Sequence, residues 1–444
     1  MIAGGGISGI AAAELLYKEG EKAILYDGNK ALDVEGLRSR LQAAAGIEIV
    51  LGELPDSLLQ KIKVCVASPG IPASSPLLKK VREAGIFVWS EIELAYRYGK
   101  GRVAAITGTN GKTTTTALVG AILREHYRQV SVVGNIGIPY TEEAPKLTQD
   151  SVTAAEISSF QLETIDTFRP EVSAILNITP DHLDRHGTMA EYIRVKESIT
   201  RNQSKEDWCV LNYEDPNLRT FGEEDCVPQT AWFSSRRVLT GGVYLENGAI
   251  ISELDGERET VCYTDELNIL GRHNYENVMA AVGICRKLGV PMDKIRHACT
   301  HFQAVEHRIE FVREVRGVAY YNDSKGTNPD AAIQAVKAME RPTILIGGGY
   351  DKGSSYDAWI SSFDGNVKHL LLMGQTAEKI ADAARALGFT GITFVKDMEE
   401  AVAEAAGRAK EGEAVLLSPA CASWGMFRNY EERGKIFKEL VKRL

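Results

Sequence analysis

A glycine-rich segment followed by a lysine and threonines carries the strongest chemical signal in this sequence. It reads Gly108-Thr109-Asn110-Gly111-Lys112-Thr113-Thr114 and follows an apolar run at 103–106. Glycines let backbone N–H groups approach phosphate oxygens, and a following helix would direct its positive N-terminus at the same anion. Lys112 would neutralise the β- and γ-phosphates, while the Thr113 hydroxyl suits Mg²⁺. The segment predicts a loop that binds the phosphates of ATP, although Ile106 replaces the first glycine of the full GxxxxGK[ST] pattern.

Polar residues also follow two later apolar runs of the same block. Glu156 comes after 152–155, and His182 comes after 172–178. An acid and a histidine at the ends of neighbouring strands could hold a metal ion beside the ATP. Taken alone, a sequence pair such as Asp181-His182 is more often a helix cap or a surface feature. On composition alone, Lys196 is a solvated surface lysine.

A second glycine loop lies at the start of the chain. Gly4, Gly6 and Gly9 match the GxGxxG dinucleotide fingerprint, and Asp27 ends the next predicted strand about 20 residues later. The motif fits NAD, with Asp27 on a ribose, and it fits a nucleotide-sugar pyrophosphate equally well. Only three residues precede the loop, which suggests a truncated first strand.

The last third of the chain has four segments rich in charged and hydroxyl side chains, and three of them follow apolar runs. They are 306–310, 322–329, 347–352 and 418–425. Their lysines and arginines would supply the cations that an anionic ligand needs. The alternative is that Asp323 and Ser324 cap a helix and the lysines are solvated. Cys421 is expected to be a small buried residue rather than a nucleophile.

Parallel sheets with helices on both faces are the architecture that would position these segments. Short β-branched runs alternate with amphipathic stretches, which predicts an α/β fold. We expect three domains: a Rossmann-like domain at 1–92, a central P-loop ATPase-like α/β domain at 93–302, and a doubly wound Rossmann-like domain at 303–444. A hairpin is predicted at Asn247-Gly248. Because ligands bind beyond the carboxyl ends of such strands, the three domains could serve one shared cleft.

Composition narrows the class of protein. The 444 residues carry a formal net charge of -9, so nucleic acid is not an expected partner. Seven cysteines without a CxxC pair fit reduced thiols in the cytosol. No apolar run reaches the roughly 18 residues of a membrane span, and we expect no membrane association and no signal peptide.

Together these segments resemble the Mur ligase family of peptidoglycan synthesis along the whole chain. The resemblance rests on 108–114, 156–163, 271–274, His307-Arg308 and 322–325. Within the family, 418–423 and 427–434 are most similar to the members that add D-glutamate to UDP-N-acetylmuramoyl-L-alanine. The L-alanine-, diamino acid- and dipeptide-adding members and folylpolyglutamate synthetases are the nearest alternatives.

The resemblance implies an ATP-dependent ligase that forms an acyl phosphate, with two Mg²⁺ ions, acting as a cytoplasmic monomer. Catalytic and metal roles would fall to Lys112, Thr113, Glu156, His182 and a carbamoylated Lys196. ATP would also contact Asn274, His307, Arg308 and Asp323. The UDP-sugar side would comprise Ile7, Ser8, Gly9, Asp27, Asn135, Gly137, Ser158 and Gln161. D-Glutamate would be held by Lys325, Thr327, Lys352, Ser423 and Tyr430.

Two hypotheses from other classes stay open on the residues alone. The chain could be a non-catalytic module that binds a nucleotide through Lys112. It could also be a hydride-transfer enzyme that binds NAD at the loop 4–9.

Overall fold

Three β-sheets with flanking helices organise the chain, so the predicted three-domain α/β fold is confirmed. The computed structural model describes residues 1–41, 46–135, 138–303 and 305–444. The chain divides into two compact units. One comprises Met1–Thr264 and Glu276–Thr300, and the other comprises Asp265–Tyr275 and His301–Leu444. The boundaries at 92 and 302 stay predictions.

The first sheet is parallel and has the order β3-β2-β1-β4-β5. The strand order reverses between β1 and β4, which creates the crevice where open α/β sheets bind ligands. The strand β1 has two residues, yet both are fully buried at the centre of the sheet. The strands are β1 Ile2–Ala3, β2 Ala23–Asp27, β3 Ile47–Leu51, β4 Val64–Ala67 and β5 Phe87–Ser90, and the helices are α1 Ile7–Lys18, α2 Val34–Arg40, α3 Asp56–Leu59, α4 Pro76–Glu83 and α5 Glu91–Tyr98.

The second sheet has nine strands in the order β14-β13-β12-β11-β10-β9-β6-β8-β7. Its strands are β6 Arg102–Thr107, β7 Val130–Gly134, β8 Val152–Glu156, β9 Val172–Ile175, β10 Trp208–Asn212, β11 Gln229–Ser234, β12 Val243–Glu246, β13 Ala249–Ser252 and β14 Glu259–Tyr263. The accompanying helices are α6 Lys112–Arg124, α7 Tyr140–Glu143, α8 Ser159–Leu162, α9 Leu183–His186, α10 Met189–Glu197, α11 Pro216–Glu224, α12 Arg272–Lys287 and α13 Met292–His301.

An antiparallel extension, which includes the predicted hairpin, completes this otherwise parallel sheet. The strands β12, β13 and β14 pair antiparallel. The predicted hairpin at Asn247-Gly248 is confirmed, since a two-residue turn joins β12 to β13 and both residues have positive φ, 49° and 79°. Positive φ at both positions is the signature of a type I′ turn.

Small residues let helix α6 lie close to the centre of the second sheet. Ala104, Ala105 and Ala154 are fully buried in β6 and β8. On the helix, a Cβ added to Gly120 would lie 2.3 Å from a side-chain methyl of Val132. A larger residue at this position would push α6, and the phosphate loop at its N-terminus, away from the sheet.

The third sheet has the order β15-β16-β20-β17-β18-β19, with apolar clusters on both faces. The edge strand β15, which the sequence did not predict, is antiparallel to β16, and the other neighbours are parallel. The strands are β15 Glu310–Val315, β16 Val318–Asn322, β17 Thr343–Gly347, β18 Val367–Leu372, β19 Ile392–Phe394 and β20 Ala414–Leu417, and the helices are α14 Pro329–Lys337, α15 Asp357–Ser361, α16 Ala377–Ala386, α17 Met398–Arg408 and α18 Tyr430–Lys442. Within the described part of the chain, no helix is both long and apolar enough to span a membrane.

Candidate active site

The phosphate loop connects β6 to α6 and depends on two glycines with positive φ. Gly108 has φ 146° and Gly111, which caps α6, has φ 87°. A Cβ on Gly111 would lie 2.3 Å from Asn277 Oδ1, so the position excludes a side chain on steric grounds as well. Thr113 and Thr114 follow in the first turn of α6 and are buried. A glycine turn followed by a helix N-terminus is the arrangement expected of an anion-binding loop.

A neighbouring strand end fixes this loop in place. The Asn110 N–H donates to Asn177 Oδ1 at 2.8 Å, and Asn177 Nδ2 donates back to the Asn110 carbonyl at 3.1 Å. The Thr109 hydroxyl lies 3.0 Å from the Thr179 carbonyl oxygen and 3.1 Å from the Tyr192 hydroxyl. The strand β9 therefore ends at Ile175, before the predicted 178, because the following residues bind the loop. Asn177 was not predicted as a site residue from the sequence; its position just after a predicted strand was the available signal.

Two lysines meet at one carbonyl oxygen of the loop. Lys112 Nζ donates to Gly108 O at 2.9 Å and to Thr109 O at 2.8 Å, and Lys196 Nζ donates to Gly108 O at 2.8 Å. Lys196 is only 1% exposed, so the composition-based expectation of a solvated surface lysine was wrong. Burial, reinforced by the charge of Lys112, holds the pKa of Lys196 well below its usual value. Burial thus disfavours the charged form of this amine.

Glu156 ends the strand β8 next to the phosphate loop. It pairs with Ile106 of β6 on one side and with Gly134 of β7 on the other. The side chain is buried, and its Oε1 accepts a 3.2 Å hydrogen bond from Asn135 Nδ2. Gly137, predicted for the substrate side, lies outside the described residues. A buried carboxylate beside a threonine-bearing phosphate loop fits the oxygen ligands that Mg²⁺ prefers.

His182 adopts a backbone conformation that is unusual for a residue with a side chain. Its φ is 52° and its ψ is 32°, and it precedes helix α9. The ring stacks edge-on against Phe160 at a centroid distance of 4.8 Å, and Nε2 lies 3.5 Å from Asp181 Oδ2. About half of the side chain, 47%, is exposed. A left-handed non-glycine residue is held by its surroundings, and such positions cluster at functional sites.

An arginine clamp joins the first sheet to the second. Arg185 forms a bidentate ion pair with Glu163, with both distances 2.8 Å, and also donates to the carbonyls of Pro69 and Ile71 at 2.6 and 3.2 Å. Glu163 in turn accepts the Ala73 N–H at 3.2 Å. The loop after β4, which borders the crevice of the first sheet, is thereby tied to the central domain. Neither member of this pair was predicted from the sequence to have this role.

The first glycine loop is held by the carboxylate predicted to bind a ribose. Asp27 Oδ2 accepts the Gly5 N–H at 2.8 Å, and Oδ1 accepts the Asn29 N–H at 2.9 Å. A Cβ on Gly9 would lie 1.8 Å from the Gly4 carbonyl oxygen, so this close approach requires glycine. Ile7 is 72% exposed at the start of α1, and Ser8 beside it is half-buried.

Ser158 and Gln161 form a capping box at the start of α8. Gln161 Oε1 accepts the Ser158 N–H at 2.7 Å, and Gln161 Nε2 donates to Glu91 Oε1 at 2.6 Å. Burial raises the pKa of Glu91 to about 7 despite the hydrogen bond from Gln161. Both polar groups of the Gln161 side chain are therefore engaged within the protein, and they fix the orientation of the segment that carries Ser158.

In the second compact unit, the residues predicted to hold adenosine and phosphates lie in neighbouring segments. His307 Nδ1 is 2.9 Å from Asn322 Nδ2, and Asp323 accepts the Ser418 hydroxyl at 2.7 Å. Burial raises the pKa of Asp323 to about 7, against the hydrogen bond from Ser418 and the positive charge of Arg308. Nε of Arg308 is buried and has no hydrogen-bond partner among the described residues. This orphaned donor fits a site that takes an anionic or polar ligand. The side-chain amide of Asn274 donates to the Leu270 carbonyl at 2.7 Å.

The residues predicted to hold D-glutamate come from three loops and one helix of the same unit. Lys325 Nζ lies 5.4 Å from the ring centre of Tyr430, and Lys352 Nζ lies 5.8 Å from that of Trp424, next to the buried Ser423. The Tyr350 N–H donates to the Ala422 carbonyl at 2.9 Å, which brings the loop of Lys352 to the loop of Ser423. The Thr327 N–H donates to the Lys325 carbonyl at 2.8 Å. Cys421 is buried, as expected, and burial raises the pKa of its thiol.

One carboxylate–histidine group of the described residues resembles a metal site but already holds a cation. Glu306, His307 and Glu310 present their ligand atoms within 4.8 Å of one another. Lys438 Nζ lies 2.6 Å from Glu306 Oε1 and 2.8 Å from Glu310 Oε1. The ammonium group supplies the positive charge between these carboxylates.

Comparison with known proteins matches the three domains to one family. Residues 1–90 match the family model "Mur ligase MurD-like, N-terminal domain", 106–285 match "Mur ligase middle domain", and 307–421 match "Mur ligase, glutamate ligase domain". UDP-N-acetylmuramoylalanine–D-glutamate ligase of Lachnoclostridium phytofermentans is 56% identical, and the enzyme of the same name from Lachnospira eligens is 53% identical. Each alignment covers 100% of this chain and 98% of the relative.

Solved structures share the fold at lower identity. UDP-N-acetylmuramate–alanine ligase MurC of Thermotoga maritima superposes with a TM-score of 0.63 at 19% identity, covering 100% of this chain and 98% of that one. MurF ligase of the same organism, solved in complex with ADP, gives a TM-score of 0.63 at 20% identity and covers 95% of both chains. The matches to all three domains, together with the full-length relatives, show that the chain belongs to the Mur ligase family, with an N-terminal domain of the MurD-like type.

Proposed function

We propose that this protein is an ATP-dependent ligase that joins D-glutamate to UDP-N-acetylmuramoyl-L-alanine. The printed names of its full-length relatives support this reaction, at 56% and 53% identity. The observation that carries the proposal is the phosphate loop with a buried lysine and a buried carboxylate beside it. An NAD-dependent hydride transfer finds less support, because residues 1–90, which include the first glycine loop, match the MurD-like N-terminal domain.

In the first step the phosphate loop holds ATP while the terminal carboxylate of the L-alanyl group attacks the γ-phosphorus. A new P–O bond forms, the bond to the bridging oxygen breaks, and ADP leaves. Lys112 swings from its loop carbonyls onto the phosphates and neutralises the charge that builds up on them. Fixing the two reactants in line supplies most of the acceleration, because the transferred group needs little covalent help.

In the second step the amine of D-glutamate attacks the carbonyl carbon of the acyl phosphate. The tetrahedral intermediate loses inorganic phosphate and a proton from nitrogen, which leaves the amide. We assign the acceptor amino acid to Lys325, Thr327, Lys352, Ser423 and Tyr430. Lysine ammonium groups and hydroxyl donors suit a ligand with two carboxylates. We assign the adenosine and phosphate contacts of the same unit to Asn274, His307, Arg308 and Asp323.

We assign the metal ligands to Thr113, Glu156 and His182, with two Mg²⁺ ions. Bound magnesium would screen the phosphate charges and polarise the transferred group. The residues of the chain fit this role because Glu156 is a buried carboxylate held by Asn135, and Thr113 lies in the first turn after the loop. The UDP-sugar contacts are assigned to Ile7, Ser8, Gly9, Asp27, Asn135, Gly137, Ser158 and Gln161.

Lys196 is assigned as a carbamate. Burial lowers the pKa of this amine, and the neutral form of an amine adds to the carbon of CO₂ with loss of one proton. The product is an anion beside Lys112 rather than a second cation. Incubation with ¹³C-bicarbonate should give a carbamate carbon signal that is absent from a Lys196→Met variant. We also propose that the enzyme works as a monomer in the cytoplasm.

Phosphate release under a panel of substrates tests the reaction. We expect inorganic phosphate only when ATP, UDP-N-acetylmuramoyl-L-alanine and D-glutamate are all present. Lys112→Ala should abolish the release, and Lys100→Ala, a substitution outside the loop, is the matched control. Faster release with L-glutamate, a diamino acid or a dipeptide would assign the chain to another member of the family. Full turnover by Lys112→Ala would remove the phosphate loop from the mechanism.

A further inference from the structure

Arg433 is a fully buried arginine whose guanidinium connects two loops of the second compact unit. It lies in α18 and is 1% exposed. Its Nε donates to Ser324 Oγ at 3.0 Å, and its Nη2 donates to the Ser324 carbonyl at 2.8 Å. Both Nη1 and Nη2 donate to the Cys421 carbonyl at 3.2 Å. These bonds all end on carbonyl or hydroxyl oxygens, so the arginine is held by backbone geometry rather than by an ion pair.

Stability alone does not account for an arginine at this position. Burial of a guanidinium without a hydrogen-bonded carboxylate is costly, and an apolar side chain of similar volume would usually serve the fold as well or better. The cost is visible as a pKa that burial lowers to about 10. The guanidinium is a rigid planar group, and it therefore fixes the distance between the carbonyl oxygens of Ser324 and Cys421.

The two bridged residues stand beside the side chains assigned to the acceptor amino acid. Ser324 precedes Lys325 and lies three residues before Thr327, while Cys421 lies two residues before Ser423. A change in the distance between the Ser324 and Cys421 carbonyls would therefore move Lys325 relative to Ser423. These side chains must approach one small ligand from two loops.

The helix that carries Arg433 cannot easily shift. The Ser324 hydroxyl donates to the Tyr430 carbonyl at 2.8 Å, which ties the first turn of α18 to the same loop. A Cβ on Gly434 would lie 2.2 Å from His307 Nδ1, so the helix is in close contact with that segment too. Phe437, one turn further on, is fully buried in the core below β20. Arg433 thus projects from a fixed support.

We propose that Arg433 is a positioning residue for the acceptor amino acid, and that it acts by fixing the spacing between the loops 323–327 and 420–425. This role rests on the proposed function, in which those loops hold D-glutamate. Arg433 itself is not a catalytic residue, because each of its three guanidinium nitrogens already donates to an oxygen of the protein.

Three variants of the full-length protein test the proposal. Arg433→Met removes the fork and keeps most of the volume, and Arg433→Lys keeps the charge without the fork. Phe437→Leu destabilises the same helix without touching either loop. Amide hydrogen exchange of 323–327 and 420–425 reports how readily the two loops open, and it needs no substrate. Steady-state kinetics then separate the KM for D-glutamate from the KM for UDP-N-acetylmuramoyl-L-alanine.

We expect Arg433→Met to accelerate exchange in both loops by about tenfold or more, because several charge-assisted hydrogen bonds are lost. The KM for D-glutamate should rise by about the same factor while the KM for the UDP-sugar changes less than about twofold. Arg433→Lys should lie between Arg433→Met and the wild type. Phe437→Leu should lower the thermal midpoint and leave exchange in the two loops and both KM values unchanged.

Two results would overturn the proposal. Unchanged exchange in Arg433→Met would mean that the arginine does not couple the loops. Equal kinetic changes in Arg433→Met and in a Phe437→Leu protein of matched thermal midpoint would mean that it is only a structural residue. Failure of the wild type to use D-glutamate is a different outcome: it refutes the proposed function, while the exchange data still decide whether Arg433 couples the loops.

Discussion

The buried carboxyl group of Glu91 gives a prediction that does not depend on any substrate. Glu91 is the first residue of α5, where the first domain joins the second, and its Oε2 is buried without a hydrogen-bond partner among the described residues. Burial raises its pKa from 4.5 to about 7. Because the folded state binds this proton more tightly than the unfolded chain, ionisation of Glu91 destabilises the fold as the pH rises.

The size of the effect follows from the two pKa values. Below pH 4.5 the group is protonated in both states and has no effect on unfolding. Between pH 4.5 and 7 the unfolded chain loses the proton first, so stability falls, and above pH 7 the loss is complete. A change from 4.5 to about 7 corresponds to about 3 kcal/mol. For a unit of this size, that is a change of about 5 °C in thermal midpoint.

Glu91→Gln removes the ionisation and keeps a carbonyl oxygen to accept from Gln161. Differential scanning calorimetry gives the midpoint of the variant minus the midpoint of the wild type at each pH. We expect this difference to be about 5 °C larger at pH 8 than at pH 5. The neighbouring Glu93 is the matched control. Burial alone would raise its pKa, but hydrogen bonds from Thr167 and from the backbone of 166–168 outweigh burial and lower it. Glu93→Gln should therefore lower the midpoint at pH 8.

A midpoint difference between Glu91→Gln and wild type that is the same at pH 5 and pH 8 would refute the reasoning. It would mean that Glu91 titrates alike in the folded and unfolded states, and that water reaches the carboxyl group. The junction between the two domains would then be more open than its packing indicates.

Three further predictions concern the site itself. Gly111→Ala should cost about 1–3 kcal/mol and abolish phosphate release, because φ is 87° and the new Cβ would lie 2.3 Å from Asn277 Oδ1; a thermal melt and the phosphate assay check this. Lys196→Met should lower kcat by about a hundredfold or more without lowering the thermal midpoint, because the fold does not need a polar group at this buried position; an unchanged kcat would contradict its assigned role. Arg185→Ala should lower the midpoint and raise the KM for the UDP-sugar more than the KM for ATP, because Glu163 loses its bidentate partner and the loop after β4 is released. Equal increases in both KM values would mean that the clamp does not act on the substrate side.

Much of the fold could be predicted because short sequence patterns indicate its strands, helices and turns. Apolar runs followed by glycine and polar residues located β6, β8 and the loops after them, and Asn247-Gly248 located a hairpin. The pairing of β14 with β13 and the edge strand β15 were not predicted. The partners of these strands are close in the chain, but half-exposed edge strands such as β15 lack a continuous apolar run that would reveal them.

The candidate site was predictable where a single segment contains the chemistry, as in 108–114. It was not predictable where the chemistry arises from a contact between segments. Lys196 looked like an ordinary surface lysine on a helix, and only packing against Gly108 buries it and lowers its pKa. In the clamp, Arg185 binds Glu163, which lies 22 positions earlier in the chain. The same arginine also binds the carbonyl of Pro69, which lies 116 positions earlier.

The sequence by itself determined the α/β class, the phosphate loop and membership of the Mur ligase family. Local residue types favour particular backbone conformations, and several motifs of the family occur together in this one chain. Tertiary structure decided the pKa values of the buried titratable groups. The pKa of Lys196, Glu91 and Asp323 departs from its ordinary value through burial, and burial is a property of the packed chain. It also decided the role proposed for Arg433, since the two carbonyls that this residue bridges come together only when β16, β20 and α18 are assembled.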